Sequence, residues 1–467
     1  MSIKTLKPAK SRGKKSSQDK LKIETPRLTS VTKKVTKPKG VELCNPYSRC
    51  SLYGCGLVAA EVFDPDFCVH GPQGCISAVM EAFMAQGKEL EFHHSGMGQF
   101  DIIYGGEKTL LANVTEAFSP YEKAGPKYVF TSCASEIIGD DVDSVCNHFN
   151  KGLPLVKVAS GGVKGDQYHG INETLQGLMT KFVNHSVEKQ PKMVNLIGCI
   201  GLNRHWRGDV YELVRLLNSL GVEVNRVACD STLENLKIVG KASLTIVLAP
   251  EVGEETAQYL EKEFNIPYVL SPLFLPLGLR GVEIWLNEVG KVLSIPQEMI
   301  ERLVDKEEER VRDALKVALI HKVYTEKLER LKRLPVAIIA EGSVAFSWAR
   351  FVTEELGMKP VFIGLRTGEN SDALLRNLSE WQKESSLSPI ISFQPTVEEV
   401  KSALLETKAR FIMGSSIEAD LGAELGIGNF LHICNPNTHY VNINNSPFLG
   451  YTGLLNATES ILNTLQN

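Results

Sequence analysis

A strand–turn–helix unit recurs along this 467-residue chain and restricts its fold more than any single residue does. Short apolar runs end in glycine- or proline-containing turns, and helix-like stretches follow them. Residues 67–70 form such a run, before the turn Gly71-Pro72-Gln73-Gly74 and a helix from Cys75 through Phe83. Residues 127–131, 194–198, 222–227, 244–249, 268–270, 336–340, 360–364 and 410–414 read as strands by the same signs. Helices are expected at 57–63, 108–118, 209–220, 254–264, 343–356 and 417–425, with a long charged one across 297–333. A further strand is expected at 101–104, stopped by Gly105-Gly106, and a helix is expected to open at Gly139-Asp140-Asp141-Val142. The pattern restarts about every 140 to 150 residues, which predicts an α/β protein of three Rossmann-like domains with parallel sheets. The expected units are a tail at 1–40 and domains at 41–190, 191–334 and 335–467.

Length alone argues for more than one hydrophobic core. Hydrophobic residues at 43% and charged residues at 23% match an ordinary globular balance. No apolar run reaches membrane-spanning length, and no apolar segment follows the basic start, so a cytoplasmic protein is expected. The charge is unevenly spread. Residues 1–40 hold 13 of the 51 Lys and Arg and 2 of the 55 Asp and Glu, which leaves 38 basic against 53 acidic residues in the body. The tail reads as a disordered extension, and the acidic body disfavours nucleic acid and suits a protein partner with a basic face.

Ten cysteines in so long a chain are not a small-domain disulfide framework. Their crowding is informative, because Cys44, Cys50, Cys55, Cys68 and Cys75 fall within one short stretch. Cys75 and Cys133 each follow a predicted strand, directly or through a turn. Parallel strands deliver their C-terminal ends to one edge, so ligands on those turns can converge. Thiolates on separate loops can hold an iron-sulfur cluster, and Gly54, Gly74 and Gly139 permit close backbone approach. The candidate ligands are therefore Cys50, Cys75 and Cys133, with a helix N-terminus expected to favour the thiolates. Cys146, Cys199, Cys229 and Cys434 read as small buried apolar residues. There is no C-x-x-C pair and no G-x-x-x-x-G-K-[ST] loop, which argues against a zinc ribbon and a P-loop nucleotide site.

Several of these segments resemble the nitrogenase component 1 family, comprising nitrogenase α and β chains, their assembly scaffolds and nitrogenase-like reductases. The resemblance rests on Cys50-x-x-x-Gly54 with Ala59-Ala60, His70-Gly71-x-x-Gly74-Cys75, Tyr104-Gly105-Gly106 and Thr131-x-Cys133-x-x-Glu136-Ile137-Ile138-Gly139-Asp140-Asp141. With Leu449-Gly450-Tyr451-x-Gly453 it looks β-chain-like and covers about residues 41–467. It implies nitrogenase component 1 architecture and an α-type partner chain, often as α2β2. It also implies an ATP-dependent iron protein as electron donor, and an iron-sulfur cluster shared between chains. Carried over by motif, Cys50, Cys75 and Cys133 are this chain's share of a P-cluster ([8Fe-7S]) or a [4Fe-4S] cluster.

The family's α chains hold their substrate-reducing cofactor with a Cys after a second-domain strand and a third-domain His. Here the corresponding strand ends Val247-Leu248-Ala249-Pro250, without Cys, and His439 is a lone loop histidine. The reading is thus an electron-transferring β-type subunit, with a non-catalytic cofactor-assembly scaffold as the alternative and a metal-free three-domain binding protein as the third. Some β chains place a Ser near the P-cluster, and the comparable stretch 161–165 has none. Cys44 and Cys55 are extra thiols. Glu136, Asp140 and Asp141 read as helix-capping acids rather than a proton relay. His93 and His94 read as loop residues, and Arg204, His205, Trp206 and Arg207 are open to a substrate, partner or structural role.

Overall fold

A computed structural model describes residues 47, 49–88, 92–118, 125–149, 155–185, 187–199, 205–367, 372–439, 441 and 443–465. The expected tail at 1–40 and Cys44 lie outside them. Three parallel sheets follow one another along the chain. The first comprises β1 (Asp66–His70), β2 (His93–His94), β3 (Lys127–Thr131) and β4 (Leu155–Val158), in the order β2-β1-β3-β4. The second comprises β5 (Gln190–Ile197), β6 (Glu223–Arg226), β7 (Ala242–Val247) and β8 (Tyr268–Leu270), in the order β6-β5-β7-β8. The third comprises β9 (Pro335–Ala340), β10 (Lys359–Leu365), β11 (Ile390–Phe393), β12 (Phe411–Gly414) and β13 (Phe430–His432), in the order β11-β10-β9-β12-β13. Each sheet is covered by helices, as parallel sheets require, and the central strands are correspondingly apolar and buried.

Register decides what the first sheet presents. His70 pairs with Thr131 and Phe130 with Val158, so β1, β3 and β4 end level with one another. The turns that follow them leave one edge side by side.

Most expected elements are present, and Glu254–Phe264 matches residue for residue. The strand expected at 101–104 is instead part of a helix, Gln99–Tyr104. Asp101 explains the difference: its carboxylate accepts the Gly98 N–H at 2.8 Å and the Thr109 hydroxyl at 2.5 Å, closing a helix start. The apolar side chains there do not enter a core. Phe100 and Tyr104 stack on each other at helical spacing, and both stay exposed. His93 and His94 form a short edge strand on Cys68 and Val69 rather than a loop. The long charged helix is two, Gln297–Leu319 and Lys322–Leu331.

The helix expected at 57–63 begins earlier, at Ser51, and all ten residues of Ser51–Ala60 are buried. Its glycines are the reason. A Cβ on Gly54 would lie 1.9 Å from the Gln167 carbonyl oxygen, and one on Gly170 would lie 1.9 Å from that of Ser51. Glycine weakens a free helix, but here it lets Ser51–Ala60 and Gln167–Phe182 touch backbone to backbone. Helix Ile76–Ala85 packs on Ser51–Ala60 as well.

The last helix, Gly450–Thr464, packs on Trp206–Ser219 and Gly278–Val292 beside the second sheet. Asp209 accepts the N–H groups of Phe448 and Leu449 at 2.6 and 2.8 Å, and Glu212 accepts that of Thr452 at 3.0 Å. Gly450 has φ +73° and lies against Glu212, so the Leu449-Gly450-Tyr451-x-Gly453 motif is a docking turn for this helix. Trp206 and Arg207 are structural too. The indole N–H of Trp206 donates to Gln86 at 2.9 Å, and Arg207 pairs with buried Glu61 at 3.4 Å, joining the first and second sheets' helices.

Gly170→Ala should destabilise the protein by about 3 kcal/mol or more, at the upper end of overpacking costs, because backbone must move. Gly74→Ala, where nothing lies within 4 Å of the added carbon, should stay within about 0.5 kcal/mol. Urea midpoints of the two variants check the contrast.

Candidate functional site

The three level strand ends feed three adjacent turns. After β1 come Gly71 to Cys75. After β3 come Ser132 and Cys133, the first residue of a helix Cys133–Ile138. After β4 comes the Ser160–Gly165 loop. Cys50 reaches the same edge from outside the sheet, by a β-bridge to Asp166 and by the Gln167 N–H donating to the Arg49 carbonyl at 2.9 Å.

These turns bring the predicted cysteines together. A Cβ on Gly162 would lie 3.2 Å from the Cys50 Cβ and 3.5 Å from the Cys133 Sγ. A Cβ on Gly71 would lie 2.5 Å from that of Ser132 and 3.7 Å from that of Cys75. Burial pushes the Cys75 thiol above its ordinary range, and the neighbouring Cys133 and Cys50 sulfurs push in the same direction. A helical turn at Gln73–Cys75 leads directly into helix Ile76–Ala85. Cys50 is exposed, Cys75 and Cys133 half-buried. Among the described residues no three His, Cys, Asp or Glu side chains are grouped to hold a single metal ion.

The other described cysteines are buried. Cys55 is buried, with its thiol toward the Gly170 carbonyl at 3.5 Å, and burial pushes it up to about 12. Cys68 is equally buried and also pushed up to about 12. Cys146, Cys199, Cys229 and Cys434 are buried, as expected for small apolar residues.

The acids after Cys133 divide their work. Asp141 caps the next helix through the Ser144 N–H at 2.9 Å, as expected. Glu136 accepts the Gly161 N–H at 2.8 Å and the Thr131 hydroxyl, and lies 3.6 Å from the Lys164 ammonium, pinning the Gly161-Gly162 loop over Cys133. Asp140 does not cap a helix. It meets His70 Nε2 at 2.8 Å and accepts the Gly106 N–H at 2.9 Å, so the His-Gly, Gly-Gly and Gly-Asp-Asp motifs interlock. Ser95 completes this group at 3.0 Å from His70 Nδ1. A histidine closing a fully buried strand needs a buried partner. That need was readable from sequence; the partners were not. The Ser160 hydroxyl donates to the Thr131 carbonyl at 2.6 Å.

No thiol lies at the end of β7. Residues Pro250–Val252 turn there, and Glu251 accepts the Ser343 N–H and hydroxyl at 3.0 and 2.8 Å, joining second and third units. His439 is half exposed, 3.8 Å from Asp420.

Residues 50–466 match the family described as nitrogenase component 1 type oxidoreductase, and the chain belongs to that family. It is 25% identical over 429 residues to the nitrogenase iron-molybdenum cofactor biosynthesis protein NifE of Clostridium pasteurianum, covering 88% of this chain and 86% of that protein. It is 25% identical over 433 residues to the nitrogenase molybdenum-iron protein alpha chain of Methanothermococcus thermolithotrophicus, covering 88% and 85%. It is 26% identical over 388 residues to a subunit of the light-independent protochlorophyllide reductase of Prochlorococcus marinus, covering 80% and 70%. The fold matches a solved structure, nitrogenase Cp1 at pH 6.5, with TM-score 0.78 at 17% identity over 94% of this chain and 96% of that one. No helix among the described residues is long and apolar enough to cross a membrane.

Thiol labelling checks the burial pattern. In native, metal-free protein at about pH 8, iodoacetamide should modify Cys50, Cys75 and Cys133 and leave Cys55 and Cys68 intact until denaturant is added. Peptide mass spectrometry reads the sites, and labelling of Cys55 as fast as Cys50 would refute the arrangement.

Proposed function

We propose that this chain is a β-type subunit of a nitrogenase-like reductase. With an α-type partner it holds an iron-sulfur cluster through Cys50, Cys75 and Cys133, and it works in the cytoplasm with an ATP-dependent iron protein. The observation that carries this reading is the placement of Cys50, Cys75 and Cys133 on one sheet edge, with Gly162 set against the Cys50 Cβ and the Cys133 Sγ, where a larger residue would be crowded. The donor set fits the group: soft sulfur ligands suit an iron-sulfur cluster. A set that opens outward at exposed Cys50 suits a cluster completed by a second chain better than an enclosed ion. The surface alongside supports a partner. Phe100, Ile103, Tyr104, Ile137 and Val163 are large apolar side chains left exposed in this unit.

When bound, the cluster supplies one-electron chemistry at a potential set by its ligands, burial and hydrogen bonds. The chain's own residues prepare its place. The thiols must lose their protons to bind iron, and burial raises the Cys75 thiol. Glu136 and Thr131 hold the glycine loop, and the apolar rim excludes water once covered. The absence of a thiol after β7 supports placing any substrate-reducing cofactor on the partner.

A second reading, a non-catalytic scaffold for assembling a nitrogenase iron-molybdenum cofactor, is favoured by the similarity to NifE. Turnover separates the two: a reductase component turns over with iron protein and ATP, whereas a scaffold gives up its cluster to an acceptor.

Cys75→Ala and Cys133→Ala should each lower bound iron and remove the cluster's EPR signal in the anaerobically co-purified complex, while Cys55→Ala should not. Wild-type iron content in either of the first two would refute the ligand assignment.

A further inference from the structure

We propose that His70 is a positioning residue for the cysteine site: it sets the separation between the turn that carries Cys75 and the helix that carries Cys133. The inference rests on the reading of those cysteines as ligands. His70 is fully buried, and its ring hydrogen bonds go to Ser95 and Asp140 rather than to a thiol. Each of its polar groups grips a different piece of the site.

The ring forms one continuous donor chain. Asp140 Oδ2, an acceptor, takes the Nε2 proton at 2.8 Å, which leaves Nδ1 to accept the Ser95 hydroxyl at 3.0 Å. That hydroxyl oxygen in turn accepts the Gly71 N–H at 3.0 Å, at the root of the Cys75 turn. Asp140 sits just past Gly139, the left-handed residue ending the Cys133–Ile138 helix. The backbone carbonyl of His70 accepts the Ser135 hydroxyl at 3.1 Å, inside that helix. His70 therefore holds the Cys133 helix from within and from its far end, and holds the Cys75 turn through Ser95. Gly71 and Ser132 touch directly, so a shift in one turn moves the other.

The test compares His70→Phe, which deletes both ring bonds, with His70→Gln, which can still reach Asp140, and Ser95→Ala, which removes one link only. In metal-free protein with Cys50→Ala, a short bifunctional thiol reagent should join Cys75 to Cys133 in wild type and join them much less in His70→Phe. In the anaerobic complex, iron retained against a chelator should fall about 10-fold or more in His70→Phe, the usual cost of losing a group that orients ligands. The cluster's midpoint potential should shift, and His70→Gln should recover part of each loss. Folding is checked by near-UV circular dichroism, and Ser95→Ala supplies the milder case if His70→Phe does not fold. Cross-linking and iron retention at wild-type levels in a folded His70→Phe or Ser95→Ala protein would overturn the inference. Wild-type protein without iron would instead overturn the cluster reading, while the cross-linking arm still decides the positioning.

Discussion

The level ending of β1, β3 and β4 is the constraint on which the site depends. Parallel pairing puts His70 opposite Thr131 and Phe130 opposite Val158. The three turns that follow then start from one line, and each needs only a few residues to reach its neighbour. A one-residue slip in either pairing would turn the inward side chains outward and take Cys75 or Cys133 away from the edge. Cys50 depends on a separate contact, the backbone approach of Ser51–Ala60 to Gln167–Phe182 that Gly54 and Gly170 allow. Strand register and helix approach thus converge on the same few ångströms.

Around that edge, buried polar groups are spent on order. His70, Ser95 and Asp140 are matched donor to acceptor, and Glu136 is held by a backbone N–H, a hydroxyl and a lysine. Buried hydrogen-bond networks of this kind add specificity more than net stability, because each group left unpaired would cost more than its bond contributes. The same principle appears at the unit borders. Glu251 reaches Ser343, Asp209 reaches Phe448 and Leu449, and Glu61 reaches Arg207. These carboxylates, bonded to backbone amides, a hydroxyl and a guanidinium, join the units alongside an apolar core whose buried residues run from Leu52 to Leu465.

Much of the fold was legible because it is local and periodic. Apolar runs with turn residues located the central strands, and Gly221 and Gly357 marked helix ends within a residue or two. The failures have tertiary causes. Residues 101–104 look like a strand by their apolar run, yet those side chains are exposed and Asp101 closes a helix start. The glycines at 54 and 56 look like a helix-breaking lead-in, yet they lie within a helix that needs no side chain there. The site divided the same way. The cysteine spacing and the turns around Cys75 and Cys133 pointed to one edge. Gly162 and the His70–Asp140 bond were invisible, since both derive their meaning from segments far away in sequence. Asp140 resembles a cap in the sequence because a helix does start just after it.

The most direct test of the central claim is an anaerobic crystal structure of the chain together with its partner. Iron-sulfur density is expected at the boundary between the chains, bonded to Cys50, Cys75 and Cys133. Free thiols at those three positions in a complex that carries its iron elsewhere would contradict it.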